Sequence, residues 1–154
     1  MADERMLVKK EDGVRWLTFN TPERGNAVSL EMWRMMGDIL EDFERDPAVR
    51  VAVLTGAGDK AFVSGADISK FETERNTPEQ VQHYEKVSAR ANRALAELSK
   101  PSIAMIRGFC VGGGVAIAIT CDMRVCEPES EFANPAAKPG LRYGLPDLSE
   151  AVHR

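Results

Sequence analysis

Two short segments of this 154-residue chain are built from residues small enough to let a backbone approach a ligand. Ser64-Gly65-Ala66-Asp67-Ile68 stands at an expected helix start, and Gly112-Gly113-Gly114 opens an apolar run, Val115 to Thr120. Missing Cβ atoms uncover peptide groups, and a helix start carries unpaired N–H groups with partial positive charge. One N–H from each segment, converging on a carbonyl oxygen, would make an oxyanion hole suited to an enolate or a tetrahedral intermediate. Taken alone, a glycine triplet is more often a packing or turn device. Other chemistries find no support. No Gly-Lys-Ser/Thr follows the triplet and no G-x-G-x-x-G occurs, which argues against a nucleoside triphosphate site. There is no H-E-x-x-H, and His83 and His153 have no evident serine or carboxylate partner. Cys110, Cys121 and Cys126 are odd in number without a C-x-x-C pair, so neither a disulfide framework nor a zinc site is expected. Cys121 and Cys126, in an apolar stretch, read as buried structural thiols.

The elements that must hold these segments can be read along the chain. Met6–Lys10 and Val14–Asn20 flank Asp12-Gly13, a strong hairpin-turn pair. Thr21 to Asn26, with Pro22 and Gly25, reads as a loop. Ser29 is an N-cap for a helix carrying Leu30, Trp33, Met36, Leu40 and Phe43 at helical spacing, ended by Asp46-Pro47. Val49 to Thr55 is a buried strand, followed by a Gly-rich turn and the brief apolar piece Ala61–Val63. Glu72 to Thr77 reads as an exposed loop. Thr77-Pro78-Glu79-Gln80 then opens a helix with a capping box, which continues through Val81, Tyr84, Val87, Ala91, Leu95 and Leu98 toward Pro101. Ser102 to Ile106 is a second buried strand, 112–120 a short buried helix, Asp122 to Cys126 a third strand and Glu131 to Ala133 a brief fourth. Asp147 to Arg154 could begin a further helix. Strands alternate with helices around one core, an α/β pattern, and the units 49–55/67–71 and 102–106/113–120 look like two turns of one plan.

Composition narrows the class. The chain is 44% hydrophobic and 29% charged, as soluble globular proteins are. A net charge of −4 argues against a protein built to grip nucleic acid or an anionic membrane. No apolar run is long enough to span a bilayer, and Met1 to Met6 has no signal core, so the expected location is the cytoplasm.

In their order, these pieces resemble the crotonase superfamily, the enoyl-CoA hydratase/isomerase family. The matching stretches are Pro22 to Ala27, Val51 to Gly56, Phe62 to Ile68, Lys100 to Ala104, Arg107 to Gly114 and Cys121 to Arg124. The resemblance implies a spiral of repeated ββα units, usually assembled as a homo-trimer or hexamer, acting on acyl thioesters of coenzyme A with no other cofactor and no metal. It puts the two oxyanion N–H groups on Ala66 and Gly113. It lines the nucleotide end of the coenzyme with Glu23, Arg24 and Ala27 and with Ser64, Gly65, Ala66, Asp67 and Ile68, beside Gly112 and Gly113. Arg24 is either a phosphate neighbour or an exposed loop charge, and Asp67 is a candidate cap for the next turn.

The sequence departs from the pattern in two places. Hydratases of this family carry one glutamate two residues after the glycine triplet and another after Phe-x-x-Pro. These positions are Ala116 and Ala136, and alanine cannot transfer a proton. A placed acid or base contributes about 10²–10⁴-fold, so two-glutamate hydration is expected to be impaired. Tyr143 and Asn134 are the candidate substitutes, and Asp122 reads as structural. The second departure is length: the chain ends at Arg154, where family members continue with helices that cover the acyl site, so a single core domain over 1–154 lacking those helices is expected. Readings other than an acyl-CoA enzyme are a non-catalytic CoA-ester binder, an assembly subunit or an inactive fragment.

Overall fold

The computed structural model describes residues 3–134. Strands β1 (Met6–Glu11) and β2 (Val14–Phe19) form the expected antiparallel hairpin. Its turn residues Asp12 and Gly13 both have positive φ, 46° and 84°, which a two-residue hairpin turn requires. Helix α1 (Leu30–Arg45) starts at Ser29, whose Oγ accepts the Met32 N–H. At its other end Lys100 Nζ donates to the carbonyls of Phe43, Glu44 and Asp46, a cation on the open end of a helix. Helix α3 (Pro78–Ala96) has the full capping box between Thr77 and Gln80. It lies against α1, and Arg90 of α3 reaches Asp38 and Glu41 at 2.8 and 2.7 Å.

The remaining strands alternate between two sheets. β3 (Val51–Gly56), β5 (Ser102–Ile106) and β7 (Met123–Cys126) extend the hairpin into the order β1-β2-β3-β5-β7, parallel from β2 onward. β4 (Ala61–Val63), β6 (Phe109–Val111) and β8 (Glu131–Ala133) form a second, all-parallel sheet in the order β4-β6-β8. Each strand of the large sheet from β3 onward is thus followed by one of the small sheet. This is the spiral ββα repeat, seen in β3-β4, β5-β6 and β7-β8. Helix α4 (Gly113–Thr120) follows β6. Leu17, Phe19 and Leu54 from the large sheet, Met36, Leu40 and Phe43 from α1, and Ala91 and Leu95 from α3 share one apolar cluster.

Four expectations need correction. The Thr21–Asn26 loop contains a 3-10 turn, Pro22–Arg24, with proline at its first position. The expected loop at Glu72 to Thr77 is entered by a short helix, α2 (Phe71–Glu74), held because the Glu74 carboxylate accepts the Leu30 N–H at the start of α1. Phe109–Val111, read only as a lead to the glycines, is a strand. Cys126 is exposed, because β7 is an edge strand whose four residues are all exposed. Cys110 and Cys121 are buried. The expected final helix at Asp147 to Arg154 lies outside the described residues. Among the described residues no helix is long and apolar enough to cross a membrane.

The start of α4 packs directly on β4. A Cβ on Gly114 would stand 2.3 Å from the Val63 carbonyl oxygen. Gly114→Ala is therefore expected to cost about 1–3 kcal/mol through forced backbone movement, read from the urea midpoint of unfolding. An unchanged midpoint would mean α4 can retreat from β4 at no cost.

Candidate functional site

The site is assembled by the short parallel pairing of β4 with β6, in which Ala61 faces Phe109 and Val63 faces Cys110, with a register irregularity between them. The chain leaving β4 is Ser64-Gly65-Ala66, and the chain leaving β6 is Gly112-Gly113, so the two small-residue segments emerge side by side. A Cβ on Gly65 would lie 3.7 Å from the carbonyl oxygen of Val111, the last residue of β6. Gly65 has φ 118°, a conformation side chains disfavour. That bend lets the Gly65 carbonyl accept the Val28 N–H at 2.8 Å while Asp67 N–H donates to Val28 at 3.0 Å. Val28 and Ala66 are thereby a parallel bridge made through the neighbours of Ala66, and the bridge leaves the Ala66 N–H unused. Gly112, with φ 55°, caps α4 and donates to the Ala133 carbonyl. The first intrahelical bond runs from Ala116 N–H to the Gly112 carbonyl, so Gly113 contributes a first-turn N–H that the helix does not use.

The flanking loop is locked by a residue that sequence reasoning left without a role. Asn26 is fully buried in a left-handed conformation, φ 56°. Its Oδ1 accepts the Thr21 N–H, and its Nδ2 donates to the carbonyls of Ala57 and Ala61 at 3.0 and 2.8 Å. An Asn following a Gly in a loop is the signal that could have found it. Ser64 N–H in turn donates to Gly25 at 3.0 Å.

Arg24 is half-exposed and donates to Asp67 at 3.1 Å and to Ser69 at 2.7 Å. Asp67 also accepts the Ser69 N–H, which makes it the cap of the 3-10 turn Ile68–Lys70. Glu23, Arg24, Asp67 and Lys70 line a cleft of about 440 Å³ with Arg5, and neither Ala66 nor Gly113 is among its lining residues. Ala27 is buried and Ile68 strongly exposed. Trp33 of α1 lies 3.5 Å from where a Gly113 Cβ would stand, and its Nε1 donates to the Tyr84 hydroxyl at 2.9 Å.

Ala116 sits half-buried in α4. Asp122 accepts the Ser102 N–H and hydroxyl, the structural role expected, and His83 is exposed. Asn134 is exposed at the end of the described residues, and Ala136, Tyr143 and His153 lie outside them. Burial pushes the Cys110 thiol up to about 12, which removes it as a nucleophile. No cluster of metal-ligating side chains occurs among the described residues.

Strands that alternate between two sheets in repeated ββα turns mark the crotonase fold, and comparison with known proteins agrees. The enoyl-CoA hydratase/isomerase family model matches residues 9–147. Hydroxycinnamoyl-CoA hydratase-lyase of Pseudomonas fluorescens is 40% identical over 144 residues, covering 90% of this chain and 50% of that protein. Short-chain-enoyl-CoA hydratase of Clostridium acetobutylicum is 36% identical, covering 94% and 55%. The crystal structure of an enoyl-CoA hydratase/carnithine racemase from Magnetospirillum magneticum superposes with a TM-score of 0.92 at 34% identity, covering 99% of this chain and 57% of that one. The chain belongs to the enoyl-CoA hydratase/isomerase family, within the crotonase superfamily. It spans about half the length of the curated relatives it matches.

Burial pulls the Asp67 carboxyl up, but hydrogen bonds from Ser69 and Arg24 outweigh it and hold the group below its ordinary 3.8. A lowered folded value contributes stability that is fully present above 3.8 and is lost as pH falls through the lower folded value. Asp67→Asn is expected to be less stable at pH 7 by under about 1 kcal/mol, since Arg24 is half-exposed. In urea titrations from pH 7 to pH 2 that gap closes. A gap independent of pH would show that the charge is not its source.

Proposed function

We propose that this chain binds acyl thioesters of coenzyme A, with the thioester oxygen between the backbone N–H groups of Ala66 and Gly113. Charge developing on that oxygen, as in an enolate, is stabilised there by two donors already in place. The observation that supports this reading is the parallel pairing of β4 with β6, from which the segments Ser64–Ala66 and Gly112–Gly113 leave neighbouring strands, while neither the Ala66 nor the Gly113 N–H is used by a ladder. The likeness to hydratases acting on CoA thioesters supports the substrate class. The nucleotide end of the coenzyme lies along Glu23 to Ala27 and Ser64 to Ile68. Arg24 and Lys70, lining the same cleft, offer positive charge to its phosphates. Coenzyme A arrives as part of the substrate, and no further cofactor is invoked. Homo-trimeric or hexameric assembly and a cytoplasmic location complete the reading.

With alanine at 116 and 136, proton transfer falls to another group, and Tyr143 is the candidate. A second reading has its own observation. Ala116, half-buried in α4 close behind Gly113, carries no titratable group. A non-catalytic CoA-ester binder or assembly subunit would bind thioesters without turning them over.

Gly113→Pro tests the donor. Proline is accommodated at the first position of a helix, where it deletes the N–H and sets its ring at van der Waals distance from Trp33. Loss of one such donor costs about 10²–10³ in kcat in an acyl-transfer enzyme. Calorimetric titration with acetoacetyl-CoA, an enolate mimic, is expected to show saturable binding by the native chain and markedly weaker binding by the variant at an unchanged thermal transition. Equal affinities would remove Gly113 from the site. Binding without turnover across a thioester panel would select the second reading.

A further inference from the structure

Four arginines among the described residues are buried or half-buried: Arg5, Arg15, Arg75 and Arg90. Three of them hold a carboxylate, Arg5 that of Asp3, Arg15 that of Asp46 and Arg90 those of Asp38 and Glu41. Arg75 differs. Its guanidinium carbon stands 4.8 Å from the ring centroid of Phe71 and 4.8 Å from that of Tyr84, and the guanidinium makes no ion pair or hydrogen bond with the described residues. The adjacent Glu74 carboxylate is engaged by the Leu30 N–H, and Asp67 is engaged by Arg24. Two aromatic faces hold the cation in position without using its five N–H donors.

The location gives this cation a meaning. Trp33 lies 3.5 Å from where a Cβ on Gly113 would stand, the Tyr84 hydroxyl accepts a hydrogen bond from that indole at 2.9 Å, and Arg75 lies on the Tyr84 ring. Trp33 and Tyr84 are 5% and 8% exposed, so they form a fixed aromatic wall rather than a mobile surface. An acyl chain held at Gly113 and extended past Trp33 and Tyr84 would meet a planar donor fork at its end.

We propose that Arg75 receives a carboxylate at the far end of the acyl group, so that the preferred substrates are half-thioesters of dicarboxylic acids. This deepens the acyl-CoA reading and rests on it. A guanidinium fork pairs with a carboxylate through two parallel hydrogen bonds, and charge-assisted bonds of this kind are the strong ones. A neutral acyl chain of the same length leaves those donors unpaired.

The test compares thioesters matched in length: succinyl-CoA with butyryl-CoA, glutaryl-CoA with valeryl-CoA, and adipyl-CoA with hexanoyl-CoA. Each is titrated calorimetrically into the native chain and into Arg75→Met and Arg75→Gln. At least one dicarboxylic member is expected to bind about tenfold or more tightly than its neutral partner. Both variants are expected to lose that preference while keeping the neutral member's affinity and the thermal transition. Equal affinity within every pair for the native chain overturns the assignment, whether or not the variants fold. So does a preference that survives in either variant. Binding of neutral thioesters without preference leaves the acyl-CoA reading standing, whereas no binding of any thioester overturns that reading and the role of Arg75 with it.

Discussion

The start of α4 and strand β4 approach each other backbone to backbone. At Gly114 the space for even one methyl group is taken by the Val63 carbonyl oxygen. That contact, together with the short parallel pairing of β4 with β6, decides where two otherwise separate peptide segments end up. Were α4 held off by a side chain, Gly113 would shift relative to Ala66, and a pair of backbone donors is useful only while both reach one atom. The glycines at 112 and 114 do different work. Gly112 turns the chain with positive φ, and Gly114 permits the packing.

Around this contact the structure uses polar groups to fix backbone rather than to leave chemistry exposed. Asn26 replaces a strand's worth of ladder bonds by tying Thr21, Ala57 and Ala61 to one buried amide. Asp67 and Arg24 tie the 3-10 turn to the preceding loop. Glu74 ties α2 to the start of α1. Among the described residues, side chains that can transfer protons are correspondingly scarce beside Gly113: Ala116 has none to give, and the Tyr84 hydroxyl accepts from Trp33, with burial raising its pKa above the ordinary phenol value. The electrostatic half of the expected machinery is backbone and is insensitive to side-chain identity. The acid–base half is side chain and is absent at position 116.

Local chemistry made much of this legible beforehand. Asp12-Gly13, Ser29 and the Thr77/Gln80 pair each act within four residues of themselves, so the hairpin and the starts of α1 and α3 could be placed by inspection. The order of the small-residue motifs was enough to indicate the family and the ββα spiral. Strand β6 escaped because three residues carry no periodicity, and α2 escaped because its anchor, Leu30, lies 44 residues away in the chain. Cys126 was misjudged because an apolar run looks the same in a covered strand and in an edge strand.

The sequence by itself determined the family and the class of fold, because the motifs that mark them are written in contiguous residues. Only the tertiary structure decided that Trp33 meets Tyr84 across 51 residues, that Asn26 reaches Ala61 and that Arg75 rests on two rings with its donors unspent. Such meetings are set by how α1 and α3 pack on the sheet and on each other. No spacing in the chain encodes that geometry, because side chains so far apart in sequence become neighbours only when the core closes.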